Sequence, residues 1–198
     1  MSLAMHTTQQ RAAARTNTGI LAVRATEFVA IFLQVLVVGA FWGSWIGLSR
    51  SIDTLTPGTF VEVGHVMMAD YGPIMSVLMP AAILFTLIST VLVYNRRATA
   101  GYLLFVGFTC VVAATAITLL VNVPIDTMMA GWTHATLPPD WTQIRDRWET
   151  FHTVRTFLSL GGLAATLVGS LLPLQADVST QTAARFRPDQ FVPARRSA

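Results

Sequence analysis

The chain has no lysine, one cysteine and few charges: Asp, Glu and Arg together make up only 12% of its 198 residues. The lone Cys110 excludes an intrachain disulfide and any C-x-x-C redox pair, and so excludes membrane thiol oxidoreductases. A soluble domain carries about 25% charged residues. Half that density cannot coat a globular surface, which excludes an ordinary soluble enzyme. A disordered chain is excluded as well, because 53% of the residues are hydrophobic and the mean hydropathy is +0.57. All 13 basic residues are arginines and the net charge is +3, but they lie scattered in short polar segments. That scatter argues against a nucleic-acid stripe and for a topological use. There is no Gly-rich phosphate loop, nucleophile elbow or zinc-protease helix.

What is present is long apolar runs. A spanning helix needs about 20 mostly apolar residues. Four segments qualify: Glu27 to Leu48, Gly72 to Tyr94 (its helix starting near Pro57), Gly101 to Asn122 and Phe151 to Leu174. Thr56-Pro57 reads as a cap and first turn. Asn95-Arg96-Arg97 ends the second run, Pro124 stops the third, Pro173 closes the fourth, and Pro80 kinks the second. The fold class expected is an all-α, four-helix up-down bundle in a membrane, with the second and fourth spans diagonal across the core. Residues 1–25 are expected as a disordered leader, 26–175 as the membrane domain and 176–198 as a polar tail. Arg11, Arg15, Arg24, Arg96, Arg97, Arg185, Arg187, Arg195 and Arg196 fall on one side; Arg50, Arg145, Arg147 and Arg155 fall on the other. The positive-inside rule then places both termini in the cytoplasm, with a bacterial inner membrane as the expected location.

The chemistry-bearing residues gather toward the two longer loops. Glu62-x-x-His65 and Glu149-x-x-His152 begin the second and fourth spans, and i, i+3 spacing puts each pair on one helix face. Two such pairs facing each other would suit a single iron or copper ion, although the further carboxylates of a di-iron bundle are missing. The same pattern also arises as unrelated surface residues, with Glu149 pairing Arg145. Trp148, His152, Arg155 and Ser159 share a face. An arginine at membrane depth either lines the interior or snorkels to the headgroups. Asn122 would cap the third span or offer a polar contact. Trp42, Trp45, Trp132, Trp141 and Trp148 suit an interfacial belt. Met67, Met68, Met75, Met79, Met128 and Met129 are soft packing, or a copper(I) set. His6 and His134 read as solvated.

The stretch from Asn122 to Leu160 resembles the anthrone oxygenase-like family of small four-span membrane proteins. That family ends its third span with Asn-x-Pro-Leu-Asn and opens its fourth with Trp-x-x-x-His-x-x-Arg. Asn122 and Pro124 match the first motif; Trp148, His152 and Arg155 match the second. Ile125 stands where leucine is usual and Asp126 where a second asparagine is usual. His65 stands where relatives often carry Gln or Asn. The resemblance implies an oxygenase that converts anthrones to anthraquinones. Its catalytic group would be His152, Arg155, Asn122 and Trp148, with His152 as metal ligand or general base and Arg155 on a phenolate. His65, His152, Glu62 and Glu149 are the candidate metal ligands. The partners expected are the bilayer, a lipophilic aromatic molecule and a second copy of the chain. Two other readings stand beside this one: a non-enzymatic membrane subunit or small-ligand carrier, and a haem electron carrier with His65 and His152 as axial ligands.

Overall fold

The computed structural model describes residues 2–94, 98–133 and 135–172, with side chains from residue 18 onward. All regular structure among them is helical: α1 (Ser2–Gly47), a 3-10 segment (Ser49–Thr54), α2 (Pro57–Tyr94), α3 (Ala98–Ile117), a π turn (Thr118–Asn122), α4 (Val123–Met129) and α5 (Trp141–Leu171). Four stretches are long and apolar enough to cross a bilayer: 18–54, 57–94, 98–129 and 141–171. The chain is an integral membrane protein. Asn95, Arg96, Arg97, His134, Pro173 and the tail lie outside the described residues.

Helix starts follow local chemistry. The Thr56 hydroxyl accepts from the Thr59 backbone N–H at 3.3 Å, capping α2 with Pro57 in its first turn, where no N–H is needed. α2 runs on through Pro73 and Pro80. Two boundaries differ from expectation. The leader is helical from Ser2 rather than disordered. Its Ala, Gln and Arg residues are good helix formers, and they extend a helix already nucleated by the span behind them. α5 begins at Trp141, ten residues before its apolar run; Trp141 packs on Phe60 of α2, and Ile144 joins the same apolar cluster.

The helices form a ring: α1 packs on α2, α2 on α3, α3 on α5 and α5 on α1. α2 and α5 therefore lie diagonally, as the up-down reading requires. Large apolar side chains such as Phe28, Leu84, Val91, Leu120 and Leu171 face outward, toward lipid. The interior mixes small and polar residues with apolar layers. The α3–α5 seam is closest: a Cβ on Gly107 would collide with the Thr166 hydroxyl, and one on Gly162 would stand 2.8 Å from Cys110 Cβ. Small residues let backbones approach where lipid offers no hydrophobic drive. Three apolar layers fill the rest. Phe60, Ile125, Trp132 and Trp148 pack at the loop end, Val37, Phe41 and Met79 in the middle, and Val23, Val93 and Leu104 at the opposite end.

Candidate functional site

The site is built where α3 changes register. The N–H of Val123 bonds Thr118 O, which widens one turn into a π helix. Proline at the second position of α4 has no N–H to give, so the chain continues where an α-helical ladder would lose a bond. Pro124 thus does not stop the third span, and Asn122 does not cap it. The extra residue turns Asn122 inward, where it is 0% exposed. Its Nδ2 donates to Trp148 O at 3.1 Å. π turns inside helices often mark functional positions.

α5 supplies the other wall. His152 is 1% exposed and Arg155 7% exposed, so Arg155 lines the interior and does not snorkel. Its guanidinium donates from Nε (3.2 Å) and Nη2 (3.0 Å) to His152 Nδ1, and from Nη1 to Thr118 Oγ1 (3.0 Å). It also lies 4.5 Å over the Phe41 ring of α1. Trp148 stacks on His152 with centroids 4.9 Å apart, and its indole N–H donates to Asp126 Oδ1 at 2.7 Å. Trp148, His152, Arg155 and Ser159 share one buried face, as their spacing predicts.

This geometry fixes a protonation state. Arginine only donates, so Nδ1 of His152 must carry a lone pair. A neutral imidazole then holds its proton on Nε2. That N–H has no partner among the described residues, and neither does Asn122 Oδ1. The site therefore offers one unused buried donor and one unused buried acceptor, beside a cation. Buried polar groups are nearly always bonded, so two orphans of opposite kind form a vacancy for a ligand that carries both. In this state His152 is a hydrogen-bond donor, whereas the family resemblance implied a metal ligand or a general base. Beside the site, Phe60, Gly64, Met67, Met68, Asp126, Met129 and Trp148 enclose a void of about 40 Å³.

The four candidate metal ligands do not gather. Glu62 and His65 are exposed on α2, and His65 Nε2 lies 3.3 Å from Met129 O. Glu149 is half-buried, while His152 sits inside with Nδ1 occupied. Among the described residues no three His, Cys, Asp or Glu side chains converge to hold an ion. The i, i+3 rule aligned each pair on its own helix but could not bring diagonal helices together, so these residues do not fit an iron or copper site. His65 and His152 likewise do not form a bis-axial haem pair, one being exposed and the other enclosed by Phe41 and Trp148. Arg145 bonds Asp146 at 2.7 Å rather than Glu149. Thr118 and Phe41 are site residues that the sequence reading missed. An isolated Thr and Phe in apolar runs carry no signal before the helices are packed.

No curated protein and no solved structure matches the chain. A family model described as anthrone oxygenase matches residues 71–165, just under half of the chain. The matched stretch contains Asn122, Asp126, Trp148, His152 and Arg155, and leaves out Glu62 and His65. Both the motifs and the model match therefore point the same way: over residues 71–165 this chain resembles the anthrone oxygenase family.

Proposed function

We propose that the protein is a membrane oxygenase acting on a flat, lipophilic aromatic ketone of the anthrone type, in a bacterial inner membrane. The observation that carries this is the pair of buried orphans, His152 Nε2–H and Asn122 Oδ1, set beside Arg155. An anthrone presents matching chemistry. Its carbonyl oxygen accepts from Nε2–H, and that oxygen becomes an enolate anion when the ring CH₂ gives up a proton to solvent. A preorganised N–H backed by a guanidinium is worth most where charge develops in a dry site. Asn122 Oδ1 accepts from a ligand hydroxyl. Trp148 holds the imidazole plane, and its indole is itself fixed by Asp126. The reaction is the replacement of a ring CH₂ by C=O: anthrone and O₂ give anthraquinone and water. The protein's share is to bind the enolate oxygen and exclude water while the ring carbon meets O₂.

The preformed void of about 40 Å³ is far smaller than the roughly 300–1,000 Å³ of drug-sized pockets. The ligand therefore enters by displacing Met67, Met68 and Met129, side chains that repack easily.

The test is oxygen uptake and quinone absorbance with a hydroxylated anthrone, using protein in nanodiscs beside empty discs. Wild-type turnover above the blank is expected, falling about 100-fold in His152→Ala, the scale of losing one oxyanion donor. Anthrone binding without oxygen uptake would move the protein to the carrier reading. Neither binding nor turnover would overturn the proposal.

A further inference from the structure

Asn122 and Asp126 stand four residues apart, on one face of the helical stretch that joins the π turn to α4. Each spends one side-chain atom on Trp148. Asn122 Nδ2 donates to its carbonyl oxygen at 3.1 Å, and Asp126 Oδ1 accepts from its indole N–H at 2.7 Å. Each keeps its other oxygen. Asn122 Oδ1 belongs to the vacancy described above. Asp126 Oδ2 has no hydrogen-bond partner among the described residues, and the carboxylate has no ion-pair partner among them either. The guanidinium of Arg155 is committed to His152 and Thr118.

The bond to Trp148 does not call for a carboxylate, because an amide oxygen accepts from an indole N–H as well. Asp126 nonetheless lies within the third apolar stretch, residues 98–129. Ionisable groups at membrane depth are costly and mark functional positions. Asp126 also lines the void of about 40 Å³, among Phe60, Met67, Met68 and Met129. An unpaired carboxylate in the wall of an apolar space is an available base. The alternatives are spent or elsewhere. His152 has no lone pair to offer, Glu62 and His65 are exposed on α2, and Glu149 does not line the void.

Trp148 links this carboxylate to His152. Its N–H fixes one carboxylate oxygen, and its face stacks on the imidazole with centroids 4.9 Å apart. In an anthrone the carbonyl and the CH₂ occupy opposite positions of the central ring. A ring bound by its carbonyl oxygen at His152 Nε2–H, and extending into the Met-lined void, carries its CH₂ toward Asp126.

We propose that Asp126 is the catalytic base through which the ring CH₂ loses its proton. The assignment rests on the oxygenase reading and deepens it. In the step a C–H bond of the CH₂ breaks and an O–H bond forms on Asp126 Oδ2. The electron pair of the C–H bond delocalises onto the carbonyl oxygen, where His152 Nε2–H meets the charge. Asp126 is only half-buried, so the carboxylic acid then returns its proton to solvent.

The experiment follows deuterium. A hydroxylated anthrone deuterated at its ring CH₂ is held at saturation with full-length protein in nanodiscs under argon, beside empty discs. Mass spectrometry follows the loss of deuterium. Without O₂ the ring is not oxidised, so the loss reports proton removal alone. Washout above the blank is expected in wild type, falling about 100-fold in Asp126→Asn, the lower end of what a general base contributes. If Asp126→Asn fails to fold, Asp126→Glu and Asp126→Gln share one shape, and only the glutamate is expected to wash deuterium out. Equal washout in wild type and Asp126→Asn, or in the Glu and Gln variants, overturns Asp126 as the base. Oxygen uptake in air without faster washout under argon overturns it too, and leaves the oxygenase reading in place. Absence of both overturns that reading, and the base falls with it.

Discussion

Arg155 shows how one residue can set the state of another. Its guanidinium binds His152 Nδ1 twice and Thr118 once. Removing it strips three charge-assisted bonds from buried acceptors. Arg155→Ala is expected to cost about 3 kcal/mol, seen as a lowered unfolding temperature in nanodiscs. Arg155→Lys should recover only part, because an ammonium cannot reproduce the planar fork. Asp126 acts through a single bond to the Trp148 indole. Asp126→Asn keeps an acceptor there and should leave stability within about 0.5 kcal/mol, whereas Asp126→Leu orphans the indole N–H at a cost of about 1 kcal/mol. Equal effects of the two changes on chemical unfolding would mean that the bond does not hold Trp148. At this scale much of the site was legible. Asn122, Trp148, His152 and Arg155 are named by motif and spacing. The role of His152 was not, because its tautomer is set by where a guanidinium three residues on folds back.

Among the elements, the α3–α5 seam and the π turn decide the geometry. Gly107→Ala would push a methyl into Thr166 and to within 3.0 Å of Gly162 O. Overpacking of this kind costs about 1–3 kcal/mol. Gly161 sits on the same stretch of α5 with nothing within 4 Å of an added Cβ. Gly161→Ala should therefore be neutral or slightly stabilising, by up to about 1 kcal/mol. Thermal unfolding of the two variants side by side checks this; a similar loss in both would mean that helix propensity, not seam packing, governs. The helices themselves were legible as apolar runs bounded by polar segments. The π turn was not. Pro124 looked like a stop because proline ends most ladders, but a register shift just before it absorbs the missing N–H.

For the whole molecule, four spans put residues 49–56 and 130–140 at one end of the bundle. From the arginine count that end is expected to face outward. With a single native cysteine the prediction is easy to check. In a Cys110→Ser background, Ala135→Cys, exposed in the loop before α5, should react with an impermeant maleimide on intact cells. Labelling only after permeabilisation would reverse the orientation.

Composition and periodicity alone determined that the chain crosses a membrane four times as helices, since backbone polar groups in lipid must be satisfied within each span. They also set the shared face of Trp148, His152, Arg155 and Ser159, since an α-helix repeats every 3.6 residues. Only the tertiary structure decided which faces meet. It left Glu62 and His65 exposed while burying His152, turned Asn122 inward through a π turn, and set Gln34 against Thr86 and Thr166. Contacts between helices depend on register and rotation, which local periodicity leaves free and side-chain packing fixes.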